Sequence, residues 1–182
     1  MDVAIYMGVW GTYLILERKR INLHYFIWSL LLIFYLIAAI GYLVGFPDLT
    51  EWTEMWKINQ SIFHPNFNLI PFQKIIDGST LLNILFFIPL GVALPVMWPQ
   101  FKRLPNTLLY GFLFSLTIEI SQMFTFSRIT DVNDLMMNTL GTLIGWLIVH
   151  YLFHWQAYAD GQRMNRDYII YPAIVMFCCF LI

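Results

Sequence analysis

Glu119 and Gln122 interrupt an otherwise apolar stretch of this sequence, and Arg128, Asp131, Asp134 and Asn138 follow at once. An ionisable side chain inside an apolar span costs at least a few kcal/mol unless it faces partners or a wet cavity, so these six residues call for an explanation. Three positions apart, Glu119 and Gln122 point the same way on one helix. Arg128, a turn or two beyond, is the one basic residue at hand. Asp131 is placed to cap the following helix, and Asp134 sits one turn on at that helix's positive end, where a carboxylate is favoured. Asn138, a further turn inward, can bridge carboxylate and amide groups on neighbouring helices.

Two kinds of chemistry fit these residue types. In one, the groups form a polar clasp: Arg128 pairs with Asp131 or Asp134, Glu119 bonds Gln122, Asn83 and Asn138, and the network fixes packing without doing chemistry. In the other, the same groups line a pocket in which Arg128 holds a phosphate or carboxylate and Asn83, Glu119, Gln122, Asp131, Asp134 and Asn138 bind hydroxyl or amide groups. Glu119 is the single candidate for acid/base catalysis, and no recognisable partner supports it. Ser115 and Ser121 have no histidine in the same span or loop, and no phosphate-cradling glycine loop is present. Glu119, Asp131, Asp134 and Asn138 are hard oxygen donors of the type magnesium takes, but no His or Cys joins them, which argues against zinc. The expected site carries no metal and no cofactor. His64, His150 and His154 stand elsewhere.

The elements that must position these groups follow from composition. Of 182 residues, 59% are hydrophobic and 12% charged, against about 25% charge in soluble domains. The chain reads as an all-α, polytopic integral membrane helix bundle, one domain over residues 1–182. Six apolar segments run from Val3 to Leu16, His24 to Phe46, Thr80 to Trp98, Leu104 to Phe126, Leu135 to Tyr151 and Tyr168 to Ile182. The first and last are short against the ~20 residues a span needs, while the other four fall within the usual range of about 17–25 and are firm spans. The long connection from Pro47 to Ser79 carries Trp52, Trp56, Phe63, Phe67 and Phe72, suited to an amphipathic or re-entrant segment in the headgroup layer.

Helical spacing puts polar and small residues on one stripe of each of three spans: Thr80, Asn83, Phe87 and Gly91; Gly111, Ser115, Glu119 and Gln122; Asp134, Asn138, Gly141 and Gly145. Such stripes face protein, not lipid. At 1.5 Å per residue, Asn83, Glu119 and Asn138 lie at one depth, roughly 6 to 8 Å inside the outer end of their spans. Gly141 and Gly145 form a GxxxG pair that admits a close neighbour, and Pro89 and Pro95 read as kinks in the third span.

Basic residues cluster at Arg18 to Arg20, at Lys102 with Arg103, and at Arg163 with Arg166. By the positive-inside rule these turns are cytoplasmic and the N-terminus is outside. The charges near the start follow the first apolar run, unlike a secretory signal. A net charge of −1 gives no basic face for nucleic acid. Cys178 and Cys179 are adjacent and read as small hydrophobes, not a disulfide.

Several of these positions together resemble the VanZ-like family: Asn68-Leu69-Ile70-Pro71-Phe72, Asn83 with Phe87-Ile88-Pro89-Leu90-Gly91, Ser115 through Glu119-Ile120 and Gln122, then Arg128, Asp131, Asp134, Asn138-Thr139-Leu140-Gly141 and Gly145. The resemblance covers about residues 66 to 153. It implies a multi-pass protein of the bacterial plasma membrane, acting at a Gram-positive envelope and associated with reduced susceptibility to glycopeptides such as teicoplanin. The partners expected are membrane lipids, lipid-linked cell-wall components or a lipoglycopeptide antibiotic. Binding in an outward-facing pocket is the reading taken. An enzyme modifying a lipid-linked envelope component, with Glu119 as acid/base, is the alternative, and a small transporter or flippase is a third, disfavoured by the lack of duplicated halves.

Overall fold

The computed structural model describes residues 3–16, 23–43, 45–71, 78–126, 128–152 and 166–181. Arg18 to Arg20, Phe72, Asp77, His154 and Arg163, on which parts of the expected topology rest, lie outside the described residues. Among the described residues seven α-helices follow one another: α1 Val3–Leu16, α2 Leu23–Ala38, α3 Leu49–Lys57, α4 Gly78–Met97, α5 Leu104–Gln122, α6 Val132–Leu152 and α7 Asp167–Leu181. A π-helical turn, Ala39–Leu43, continues α2, and a 3₁₀ turn, Pro99–Lys102, links α4 to α5. Two short strands, β1 Phe67–Asn68 and β2 Thr130–Asp131, pair in parallel, Phe67 against Thr130 and Asn68 against Asp131.

This is the fold of a helical membrane protein. Three stretches, Leu23–Gly41, Gly78–Met97 and Val132–Leu152, are long and apolar enough to cross a membrane by length and composition; α1 and α7 are shorter apolar helices. α5 has 19 residues but is not among the three, where the sequence expects a full span. Its Asn106, Thr107, Ser115, Thr117, Glu119, Ser121 and Gln122 dilute its apolarity, and Thr107, Ser115, Glu119 and Gln122 are buried against protein. α4 passes through both Pro89 and Pro95 as one helix.

Contacts at the two ends show how the helices alternate. At one end Asp167, wholly buried at the start of α7, accepts hydrogen bonds from the hydroxyls of Tyr13 on α1 and Tyr25 on α2. Tyr168 packs on Trp98 and Phe101, and its carbonyl accepts from the Tyr110 hydroxyl on α5. Lys102, Arg103 and Arg166 also belong to this basic end. At the other end the Tyr6 hydroxyl donates to Cys179 Sγ at 3.2 Å, both cysteines being free thiols, and Phe180 meets Trp52 of α3 at 4.7 Å between ring centres. α3 is capped by Asp48, whose side chain accepts from the Glu51 amide at 2.7 Å. Trp52 donates through Nε1 to the Phe124 carbonyl at 2.9 Å. So Trp52 docks on protein, whereas the sequence places it in the headgroup layer; Trp56, 74% exposed, fits that placement better.

The tightest seam joins α4 to α6. A Cβ on Gly91 would land on the Thr142 carbonyl and the Gly145 Cα; on Gly141, on the Ile84 carbonyl; on Gly145, on the Ile88 carbonyl and the Gly91 backbone. The backbones therefore touch, which only glycine allows, and in lipid such close packing is what drives helices together. Gly111 on α5 meets the Thr142 side chain in the same way. Gly145→Leu is expected to cost about 2 kcal/mol or more of stability through overpacking, while Gly11→Ala, with nothing within 4 Å, is expected to leave stability unchanged. Thermal melting of both variants in detergent checks this, and a Gly145→Leu protein that melts with the parent would mean the seam does not set the packing.

Candidate functional site

The site is built from the α3 end of the seam outward. α5 stops at Gln122 because the chain tightens there: the amides of Met123, Phe124 and Thr125 bond back to the carbonyls of Ile120, Ser121 and Gln122, and Thr125 Oγ1 donates to the Gln122 carbonyl at 2.8 Å. The chain then turns past Arg128 into β2, where Asp131 ties four elements together. Its Oδ1 accepts from the Asn133 amide at 2.8 Å, an N-cap for α6. The Asn133 side chain donates to the same oxygen at 2.9 Å and to the Ile70 carbonyl at 3.3 Å. Asp131 Oδ2 accepts from Asn68 Nδ2 at 2.9 Å. The Asp131 amide donates to Glu119 Oε2 at 2.9 Å, and Thr130 Oγ1 donates to the Glu119 carbonyl at 3.1 Å.

These bonds hold Glu119, 3% exposed, in place, with Oε2 accepting from the backbone of β2, and Glu119 lines a cavity. That cavity, about 250 Å³, is walled by Ser79, Asn83, Phe87, Glu119, Gln122, Arg128, Asp134 and Asn138, with Leu82, Phe86 and Ile118 on its apolar side. Every lining residue lies within the α3-end portion of its helix or in the α5–α6 turn, and Phe87 sits at the deepest point on α4. Six of the seven residues that the sequence assigns to ligand binding, Asn83, Glu119, Gln122, Arg128, Asp134 and Asn138, thus share one cavity wall. Asp131 is the exception. Both its oxygens are engaged by Asn68 and Asn133, so it braces the wall from behind.

Of the groups in the expected clasp, Glu119 bonds the β2 backbone, and Asn138 Nδ2 donates to Ser115 Oγ at 2.9 Å. Two buried polar atoms on the cavity residues have no partner within the protein: Asn83 Nδ2 and Asn138 Oδ1. One is a donor and the other an acceptor. Each costs about 1–3 kcal/mol if left unsatisfied. Among the described residues no three of His, Cys, Asp and Glu gather as metal ligands.

Sequence reasoning missed Asn133, Thr130 and Ser79 here, and the Asp167, Tyr13 and Tyr25 cluster at the opposite end. Asn133 and Thr130 carry a signal in hindsight, since polar residues directly beside an N-cap Asp are its natural partners.

A family model described as VanZ/LLP1 matches residues 30–154, more than half the chain, and the chain belongs to that family. The match takes in part of α2 and all of α3 through α6. Protein VanZ of Enterococcus faecium is 30% identical over 101 residues, which make up 52% of this chain and 62% of that protein; the chain thus aligns with less than two thirds of this relative's length. No solved structure matches.

The bracing role of Asp131 has a direct consequence. Asp131→Ala removes a helix cap worth about 1 kcal/mol and takes away the acceptor that Asn68 Nδ2 uses, for a total loss of about 2 kcal/mol or more, whereas Asp131→Asn keeps the cap and loses less. Unfolding of both variants in detergent measures the difference. Equal stability of the two would remove Asp131 from the role given to it.

Proposed function

We propose that this VanZ/LLP1 protein crosses the bacterial plasma membrane six times with its N-terminus outside, and lowers susceptibility to glycopeptide or lipoglycopeptide antibiotics of the teicoplanin type. It does so by engaging an envelope lipid, a lipid-linked glycan or the drug's lipid tail in the cavity at the α3 end, which opens to the outer surface. Family membership supports the resistance role. The orientation is supported by Lys102, Arg103 and Arg166 at one end and by the acid-bearing α3 at the other.

The observation that carries the binding reading is the pair of unpartnered atoms, Asn83 Nδ2 and Asn138 Oδ1, in a cavity that also has Arg128 in its wall. A guanidinium there supplies planar, forked donors for an oxyanion, and the amide pair and Glu119 take hydroxyl, ester or amide groups deeper in. The enzymatic alternative has Glu119 as its acid/base, but among the described lining residues neither histidine nor cysteine stands beside it.

Arg128→Ala and Glu119→Gln separate a pocket from a purely structural network. Arg128 is exposed and its loss is expected to abolish the resistance phenotype while melting stays near the parent's. Glu119→Gln keeps the bond from the Asp131 amide and is expected to fold and to weaken resistance. Drug susceptibility beside detergent melting reads both, and stable variants with undiminished resistance would refute the binding site.

A further inference from the structure

Arg128 belongs to two cavities at once. Besides the one described, a shallower groove of about 360 Å³ lies at the α3 end, walled by Phe63, His64, Pro65, Asn66, Phe126 and Ile129, and Arg128 is in the wall of both. The guanidinium packs closely against Gly45. A Cβ there would overlap Arg128 Nε, Cζ and Nη2, and Gly45 itself has φ +70°, a conformation in which glycine alone is unstrained. Each chamber carries an unpartnered buried polar atom: Asn83 Nδ2 and Asn138 Oδ1 on the first, and the Nε2 of His64 on the groove. The groove's rings are open to contact, Phe63 being 48% and Phe126 58% exposed.

An anion at Arg128 therefore has room for covalent substituents on both sides. A carboxylate ends a molecule, and a phosphate monoester has one substituent; a phosphodiester or a diphosphate carries its charge in mid-chain. We propose that the two cavities are subsites for one amphiphile whose phosphodiester or diphosphate sits at Arg128. Its membrane-side stem lies along Leu82, Phe86 and Ile118 with its polar atoms on Asn83 and Asn138, and its head lies in the groove against Phe63, Phe126 and His64. The apolar side of the first cavity leads to the lipid, since Leu82 is 49% exposed. This rests on the binding reading above and deepens it by naming the ligand class.

Native mass spectrometry of the full-length protein in detergent tests it with three probes. Phosphatidic acid presents a monoester, phosphatidylglycerol a phosphodiester with a polyol head, and polyprenyl-diphosphate-linked N-acetylglucosamine a diphosphate with a sugar head. At least one of the last two is expected to bind about tenfold more tightly than phosphatidic acid, and which one does so tells a glycerophospholipid from a glycan carrier. Phe126→Ala, at an exposed position, is expected to erode that preference while phosphatidic acid binding stays unchanged. If phosphatidic acid binds as tightly as both others, or Phe126→Ala leaves the preference intact, the groove is no subsite and the inference falls while the first cavity stands. If none of the three binds, the binding reading fails and this inference fails with it.

Discussion

Backbone touches backbone where α4 crosses α6, and the candidate site hangs from that contact. The carbonyls of Ile84 and Ile88 stand where Gly141 and Gly145 would carry a Cβ, and the Thr142 carbonyl does the same at Gly91. Lipid offers no hydrophobic drive for helix pairing, so close approach must supply it through dispersion and Cα–H···O contacts. Asn83 directly precedes Ile84, and Asn138 is one turn before Gly141. Holding the seam closed thus carries both amides to one level, and a wider spacing would separate the donor from the acceptor.

A second constraint closes the remaining wall. Glu119 could not keep a fixed place in a cavity on the strength of its own helix, because a long carboxyl side chain has several rotamers open to it. The amide of Asp131 supplies the restraint, and Asp131 is itself fixed by capping α6 and by Asn68 of β1. The long connection before α4 is thereby part of the site. Its Trp52, His64 and Asn66 also bond the α5–α6 turn, to the Phe124 carbonyl, the Met123 carbonyl and the Thr130 amide. Charge and hydrogen-bonding groups end up concentrated at one end of the bundle, and aromatic packing around Asp167 closes the other.

How much of this was legible in the sequence depends on the range of the interactions. The first apolar run is α1 to the residue, and the three polar stripes were readable because helical periodicity is a local property of each span. The equal depth of Asn83, Glu119 and Asn138 follows from counting along the chain, and the cavity brings them together. The N-cap at Asp131 was legible too, but its engagement with Asn68 was not, because a two-residue parallel bridge between positions more than sixty apart leaves no periodic mark. The same holds for Asp167: its partners Tyr13 and Tyr25 lie on α1 and α2 and look like ordinary aromatics within apolar helices. The π-helical turn Ala39–Leu43 has no sequence signature in its five residues.

The central claim is that a polar cavity, set within apolar helices, opens to the outside of the cell. Thiol labelling tests it most directly. Asn83→Cys is expected to react in intact cells with an impermeant methanethiosulfonate added outside, whereas Leu90→Cys, buried on the same helix, stays unmodified throughout and Lys102→Cys, at the basic end, reacts only once the cells are permeabilised. Reaction at position 102 from outside, or an Asn83→Cys as inert as Leu90→Cys, would contradict the account.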